Sequence, residues 1–296
     1  MTRLNETDMG AEARRAPRID AHQHFWRVER GDYGWMDPAS PLHRDHGPDE
    51  LWPVLDRLGI DATVLVQAAP TEAETAFLLA VAAAEPRVLG VVGWTEFEAP
   101  DAADRVGALA ARDRLVGLRP MVQDLGDDTW LTRRSIDAAF EAMEAHGLTF
   151  DALTLPRHLA PLLKRLGRHP GLRAVVDHAS KPRIAAGDLD GWRNDIRVVA
   201  RETDAFVKLS GLVTEAGADW SVEALRPVVD HLIDTFGPER MVWGSDWPVC
   251  TLACPYEAWW EETDDLLRDL TDAERDDVLG GNALSLYELA PPRQGA

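Results

Sequence analysis

Eight short apolar runs alternate with helical patterns along this chain, and that alternation restricts the fold more than any other feature. The runs fall at residues 18–26, 62–68, 88–94, 116–122, 148–155, 173–178, 205–209 and 241–245. Each has the length and composition of a buried strand, and each is followed by a segment of helical period. Strict strand–helix alternation predicts parallel pairing with crossover helices. An open doubly wound sheet and a closed barrel both satisfy that order. Eight near-regular units with polar residues held at the strand ends favour an α/β fold of the (β/α)8 TIM-barrel type.

The predicted helices cover residues 48–58, 71–85, 99–112, 128–146, 156–169, 188–201 and 219–236, and further helices close the chain through 289. Thr71 and Glu74 are spaced as a capping box, and Gly147 is placed as a C-cap. The 296 residues suit one barrel over 18–289, flanked by tails at 1–17 and 290–296. The first tail is polar and lacks the apolar segment of a secretory leader, and no apolar run reaches the ~20 residues of a membrane span. A cytoplasmic protein is the expectation. The net charge of −20 argues against nucleic-acid partners and anionic membrane surfaces. The two cysteines, Cys250 and Cys254, have a spacing that is no zinc or redox signature, so reduced thiols are expected.

The chemistry-bearing residues sit at the C-terminal ends of the runs. His22 and His24 end the first, Asp177 and His178 the sixth, and Asp246 follows the eighth. Alternation along a strand points His22 and His24 to one face. In a parallel barrel, strand ends surround one mouth, so residues far apart in sequence meet there. Two imidazoles can bind a metal or donate to a substrate carbonyl, and a carboxylate such as Asp246 can deprotonate water or ligate a metal. His178 can polarise a carbonyl or orient water. Asp177 alternates to the opposite face and reads as packing or support. Arg119 follows the fourth run; a buried guanidinium needs an anion, either a substrate or an internal partner. Gln67, at the end of the second run, can donate one hydrogen bond to a ligand or stabilise the backbone. Trp26, Trp35, Trp94 and Trp247 are expected near the mouth, where flat rings pack on sugar C–H surfaces or simply fill the core. The loop at 27–47, which carries Trp35, is long enough to expect a functional role. His158 begins the loop side after the fifth run, within reach of the mouth, and is assigned no chemistry.

Five segments together carry a family resemblance: Asp-Ala-His-Gln-His-Phe-Trp (20–26), Gly-Leu-Arg-Pro (117–120), Asp-His-Ala-Ser-Lys-Pro (177–182), Lys-Leu-Ser-Gly (208–211) and Gly-Ser-Asp-Trp-Pro (244–248). The chain resembles the amidohydrolase superfamily (amidohydrolase-related family 2) over about 18–289. It is most similar to the branch that hydrolyses sugar lactones, L-fuconolactone and L-rhamnonolactone among them, and pyrone lactones. The resemblance implies a distorted barrel in which His22, His24 and His178 bind or polarise the lactone carbonyl and Asp246 activates water. Metal-bearing members also resemble one another in a fourth-strand lysine or a fifth-strand histidine. This chain has Arg119 and no fifth-strand histidine there, which disfavours a two-metal centre. His22, His24 and Asp246 can still hold one Zn²⁺, although an activated ester is expected to need no metal. The expected partner is thus a small-molecule lactone, bound by Arg119, Gln67, Trp26, Trp35 and Trp94 around catalytic Asp246, His178, His22 and His24. The rival readings are a metal-dependent decarboxylase of an aromatic or unsaturated acid, a lactonase of pyrone dicarboxylates, and a non-catalytic binding barrel.

Overall fold

A computed structural model describes residues 15–218 and 220–292, so most of both expected tails lies outside the described residues. Eight strands run in parallel in sequence order: β1 (Ile19–Gln23), β2 (Ala62–Val66), β3 (Val88–Gly93), β4 (Leu115–Leu118), β5 (Thr149–Ala152), β6 (Ala174–Val176), β7 (Phe206–Leu209) and β8 (Met241–Trp243). Between them lie α1 (Pro48–Leu58), α2 (Glu72–Ala84), α3 (Ala102–Ala110), α4 (Asp137–Ala145), α5 (Leu159–Arg168) and α6 (Asp190–Glu202). After β7 come α7 (Leu212–Ala216) and α8 (Val222–Phe236), and after β8 come α9 (Tyr256–Leu266), α10 (Asp272–Asp276) and α11 (Asn282–Leu286). This is the (β/α)8 barrel that the alternation predicts. No helix among the described residues is long and apolar enough to cross a membrane.

The sheet is nearly closed, and the seam is made by the residues of interest themselves. His24 N donates to Trp247 O and Asp246 N donates to His22 O, each at 2.7 Å. Gly244 permits this approach, because a Cβ there would lie 2.6 Å from His22 Cβ. On β1, the register against β2 gains one residue between Asp20 and Gln23. One extra residue inverts which face the following side chains take. Ile19 and Ala21 pack with Val64, Val92, Val175 and Val242, a grouping across non-adjacent strands that only the barrel interior allows. Past the bulge, His22 and His24 face the same interior.

Leu65, Val91, Leu118, Phe150, Val176, Val207 and Met241 form the outer face of the barrel and pack against α1–α6 and α8 in one apolar cluster. Ala283, Leu286, Tyr287 and Leu289 plug the N-terminal end. Cys250 and Cys254 are free and buried.

Two local expectations are corrected. Residues 128–136 are not helical beyond a single turn at Trp130–Thr132, and α4 starts only at Asp137. The buried Arg165 accounts for this: its guanidinium donates to Leu131 O and Arg133 O and pairs with Asp137, so it draws those carbonyls out of a helical ladder. At α2, Thr71 Oγ1 accepts from Glu74 N as a cap should, but the Glu74 carboxylate does not reach back. It is buried and accepts from Tyr33 O–H at 2.7 Å and Ala68 N at 3.3 Å instead, tying the 27–47 loop to the barrel.

Candidate active site

The structure brings His22, His24, His178 and Asp246 together at the C-terminal mouth. Asp246 Oδ1 is the hub, with Nε2 of His24, His22 and His178 at 3.2, 3.7 and 3.9 Å. Asp246 has φ +58°, a left-handed conformation that aspartate tolerates better than most residues. Asp20 fixes the turn beneath it: Ser245 N and Oγ donate to its carboxylate at 2.9 and 2.6 Å, and His22 N and Tyr256 O–H add 3.2 and 3.0 Å contacts. Burial pushes the Asp20 carboxyl up to about 6 against those hydrogen bonds.

His178 reaches the mouth by a different route. β6 ends at Val176, and His178, Ala179, Ser180 and Lys181 then take φ of +52°, +49°, +61° and +51° in succession. Each such L-residue costs roughly 1–2 kcal/mol relative to a right-handed turn. Local bonds offset this: His178 Nδ1 to Ser210 Oγ at 2.9 Å, Ser180 Oγ to Thr154 Oγ1 at 2.9 Å, and Trp192 Nε1–H to Ala179 O at 2.7 Å. Gly211, at φ +65°, is required beside this turn, since a Cβ there would lie 2.5 Å from His178 Nδ1.

A buried charge network supports the site from below. Lys208, inside β7, donates to Asp151 Oδ2 and lies 3.0 Å from Asp177 Oδ1 and 3.1 Å from His22 Nδ1. Arg119 Nη1 contacts Asp177 Oδ2 at 3.3 Å and His22 Nε2 at 3.2 Å, and Tyr287 O–H donates to Asp151 at 2.7 Å. Asp177 is therefore not on an outer face: Val175 faces in and Val176 out, so alternation places Asp177 inside, under His22, and it is His178 that the left-handed turn brings back to the same side. Burial, then the Lys208 charge, holds the His22 imidazole well below its ordinary range. Burial likewise lowers His178 to about 4, so both rings are neutral at pH 7. For Asp246, burial favours the acid, but attraction to His178, which is protonated in the acid range where this carboxyl titrates, and the His24 hydrogen bond outweigh it and hold the carboxyl below the usual carboxylate range.

The hydrogen bonds of His24 add a constraint. Its Nδ1 lies 2.8 Å from Val66 O, which can only accept, so Nδ1 carries the proton. Nε2 faces the Asp246 carboxylate at 3.2 Å. A contact that close needs a proton or a metal between the two atoms. The donor atoms of His22, His178 and Asp246 lie within 4.8 Å of one another, a group that can hold a metal ion.

Above this floor is a cavity of about 160 Å³. His24, His178, Arg119 and Asp246 line its inner end, and Trp26, Trp35, Met121, Leu153 and Val249 its walls. Trp35 is 44% exposed; its Nε1–H donates to Ala68 O at 2.7 Å, and its ring meets Trp26 edge-on at 5.8 Å. Gln67 does not line the cavity. Its Nε2 donates to Arg119 O at 2.7 Å, while the Arg119 guanidinium donates to Gln67 O, so the two hold each other. Trp94 is half-buried and outside the lining, with its backbone bonded to Thr75. Trp247 packs on Phe25 and His46 behind the site. His158 Nδ1 accepts from Leu155 N at 3.1 Å and stays out of the cavity. Sequence reasoning missed Lys208 and Asp151. The signal was present: each is a charge in the middle of a buried four-residue strand.

A barrel mouth with a carboxylate ringed by imidazoles is the arrangement of a hydrolytic (β/α)8 enzyme. Comparison with known sequences narrows it. The amidohydrolase family profile matches residues 19–289, and the chain belongs to that family. It is 42% identical to an L-fucono-1,5-lactonase of Burkholderia ambifaria over 93% of this chain and 97% of that one. A second L-fucono-1,5-lactonase, from Burkholderia multivorans, is 37% identical over 94% and 98% of the two chains. Among solved structures, a Burkholderia multivorans amidohydrolase with bound zinc superposes with a TM-score of 0.88 at 35% identity, covering 93% of this chain and 100% of that one.

Proposed function

We propose that this enzyme opens a sugar 1,5-lactone of the L-fucono-1,5-lactone type to its aldonic acid, a step of carbohydrate catabolism. The observation that carries the substrate class is the 42% identity to an L-fucono-1,5-lactonase across nearly the whole of both chains. The site supplies a matching route. Asp246 Oδ2 accepts no hydrogen bond from the described residues, and the residue lines the cavity, so this oxygen is available to take a proton from water. The water oxygen attacks the lactone carbonyl carbon. His178 and Arg119 face the carbonyl oxygen as its charge develops. When no metal occupies Nε2, Ser210 Oγ donates to His178 Nδ1 and the ring presents an Nε2–H there; as a zinc ligand the same Nε2 would carry no proton. Collapse breaks the ring C–O bond, and the proton on Asp246 passes to the departing alkoxide.

The pyrone dicarboxylate reading fits less well. Asp124 and Asp246 both line the cavity, and Arg119 is already paired with Asp177, so a dianion would meet two carboxylates and one uncommitted cation, Lys181. The cavity is also smaller than the ~300–1,000 Å³ of sites for drug-sized ligands, which suits a single sugar ring. A panel of sugar lactones followed with a pH indicator tests the reading. Acid release from an L-fucono-1,5-lactone is expected; no acid from any sugar lactone, or CO₂ from aromatic acids, would refute it.

We further infer a single Zn²⁺ at this centre, in place of the metal-free site expected from the sequence. Two neutral imidazoles, His22 and His178, with the Asp246 carboxylate make a three-ligand set with an open position. This differs from the set of His22, His24 and Asp246 expected from sequence. A zinc ion there would supply Lewis-acid polarisation and a more acidic water. Metal analysis of protein purified with added zinc is expected to give about one Zn²⁺ per chain, and His178→Ala to lower that content. Zinc-free protein after supplementation would overturn the inference.

A further inference from the structure

We propose that Lys181 is a specificity-determining residue that binds the ring hydroxyls of the substrate in this cavity. The proposal rests on the lactonase reading above and deepens it. The left-handed turn that carries His178 has about three residues per turn, so positions 178 and 181 project to one side. Lys181 N donates to His178 O at 2.8 Å and closes that turn. Both side chains line the same cavity. The run of four left-handed residues thus places two groups, the reacting imidazole and an ammonium. A buried run of this kind is costly and points to a functional constraint.

The ammonium is available. Among the described residues, its ion-pair partner is Glu215, whose Oε1 lies 4.0 Å away, beyond hydrogen-bond reach. The other cavity cation, Arg119, is committed to Asp177, His22 and Gln67. Lys181 offers three donors and no acceptor, and the carboxylate of Asp124, on the same cavity, offers acceptors and no donor. Gln123, also in the lining, offers both. A hydroxyl both donates and accepts, so vicinal hydroxyls satisfy this mixed set. A carboxylate would satisfy Lys181 and be repelled by Asp124. The set therefore selects a neutral, hydroxylated lactone.

The test compares wild type, Lys181→Met and Lys181→Arg on a polyhydroxylated 1,5-lactone and on δ-valerolactone, which has no ring hydroxyls. Losing a charged hydrogen bond to substrate costs on the order of 10- to 100-fold. The ratio of kcat/KM for the hydroxylated over the bare lactone is expected to fall at least tenfold in Lys181→Met. The loss should appear mainly in KM, and Lys181→Arg should recover part of it. A merely structural role would lower both substrates together; an unchanged ratio overturns the proposal. Binding of a hydroxylated 1,5-lactam by calorimetry separates this from the lactonase reading. If wild type opens no lactone yet binds the lactam at least tenfold more tightly than Lys181→Met, the lactonase reading falls and the role of Lys181 stands. Equal lactam affinities, or no binding to wild type, overturn Lys181.

Discussion

Asp246→Asn is expected to lower kcat by about 10²–10⁴-fold, the usual contribution of a positioned general base. The amide keeps the size of the carboxylate and removes its basicity. Asparagine also tolerates φ near +58° as well as aspartate does, so the turn after β8 should be preserved. KM should change little, because the cavity walls and Lys181 are untouched. A capping role for Asp246 predicts a different pattern. Loss of a cap costs about 1 kcal/mol of stability and leaves turnover nearly intact. The structure disfavours it: the bond to the following turn runs from Cys250 N to the Asp246 backbone oxygen at 3.0 Å, not to the side chain. Kinetics, thermal stability and metal content of this one variant separate the roles. Near-normal turnover with a lowered Tm would refute the mechanism. A lost metal that zinc restores along with full rate would assign Asp246 to zinc binding alone and not to the base.

The barrel was legible because eight strand–helix alternations leave few topologies, and the grouping of His22, His24, His178 and Asp246 followed from their positions at strand ends. The details that aim those side chains were not. His22 and His24 do share a face, as alternation requires, yet the face is set by one extra residue between Asp20 and Gln23. Nothing in Asp-Ala-His-Gln marks a bulge. The turn at His178–Lys181 contains no glycine, the residue that usually signals a left-handed backbone. Counting alternation back from an inward His178 therefore puts Asp177 outward, whereas the strand ends before His178 and Asp177 lies beneath His22. Sequence position suggests a ligand role for both Gln67 and Arg119, but the ends of β2 and β4, on either side of β3, let them bond each other's carbonyl oxygens, and only Arg119 also reaches the cavity. Trp26 and Trp35 reach the cavity because the 27–47 loop folds over it, anchored by buried Glu74, whose carboxyl burial pushes up to about 7. Trp94 and Trp247 belong to segments that turn away, and a tryptophan's role depends on such turns more than on its neighbours in sequence.

Lys208→Met is expected to destabilise the fold by about 3–5 kcal/mol near pH 8, the usual effect of removing one partner from a buried ion pair. Lys208, Asp151 and Asp177 are all fully buried, so neither carboxylate can recover its charge stabilisation from water. Asp177 retains Arg119 at 3.3 Å, whereas among the described residues Asp151 retains only the Tyr287 hydroxyl. The penalty should therefore fall on Asp151. Burial already pushes that carboxyl up to about 6 with Lys208 present, and removing the ammonium pushes it further. A carboxyl raised above its unfolded value of about 3.9 binds more protons folded than unfolded, so stability falls as pH rises through the interval between the two values. In the variant that interval extends upward. The loss relative to wild type should accordingly be larger at pH 8 than at pH 5, where Asp151 can stay protonated. Adding Asp151→Asn should recover much of it by removing the unpaired charge. Urea unfolding at both pH values measures all three variants. A Lys208→Met protein within about 1 kcal/mol of wild type at pH 8 would show that the ammonium is not what holds these carboxylates inside the barrel.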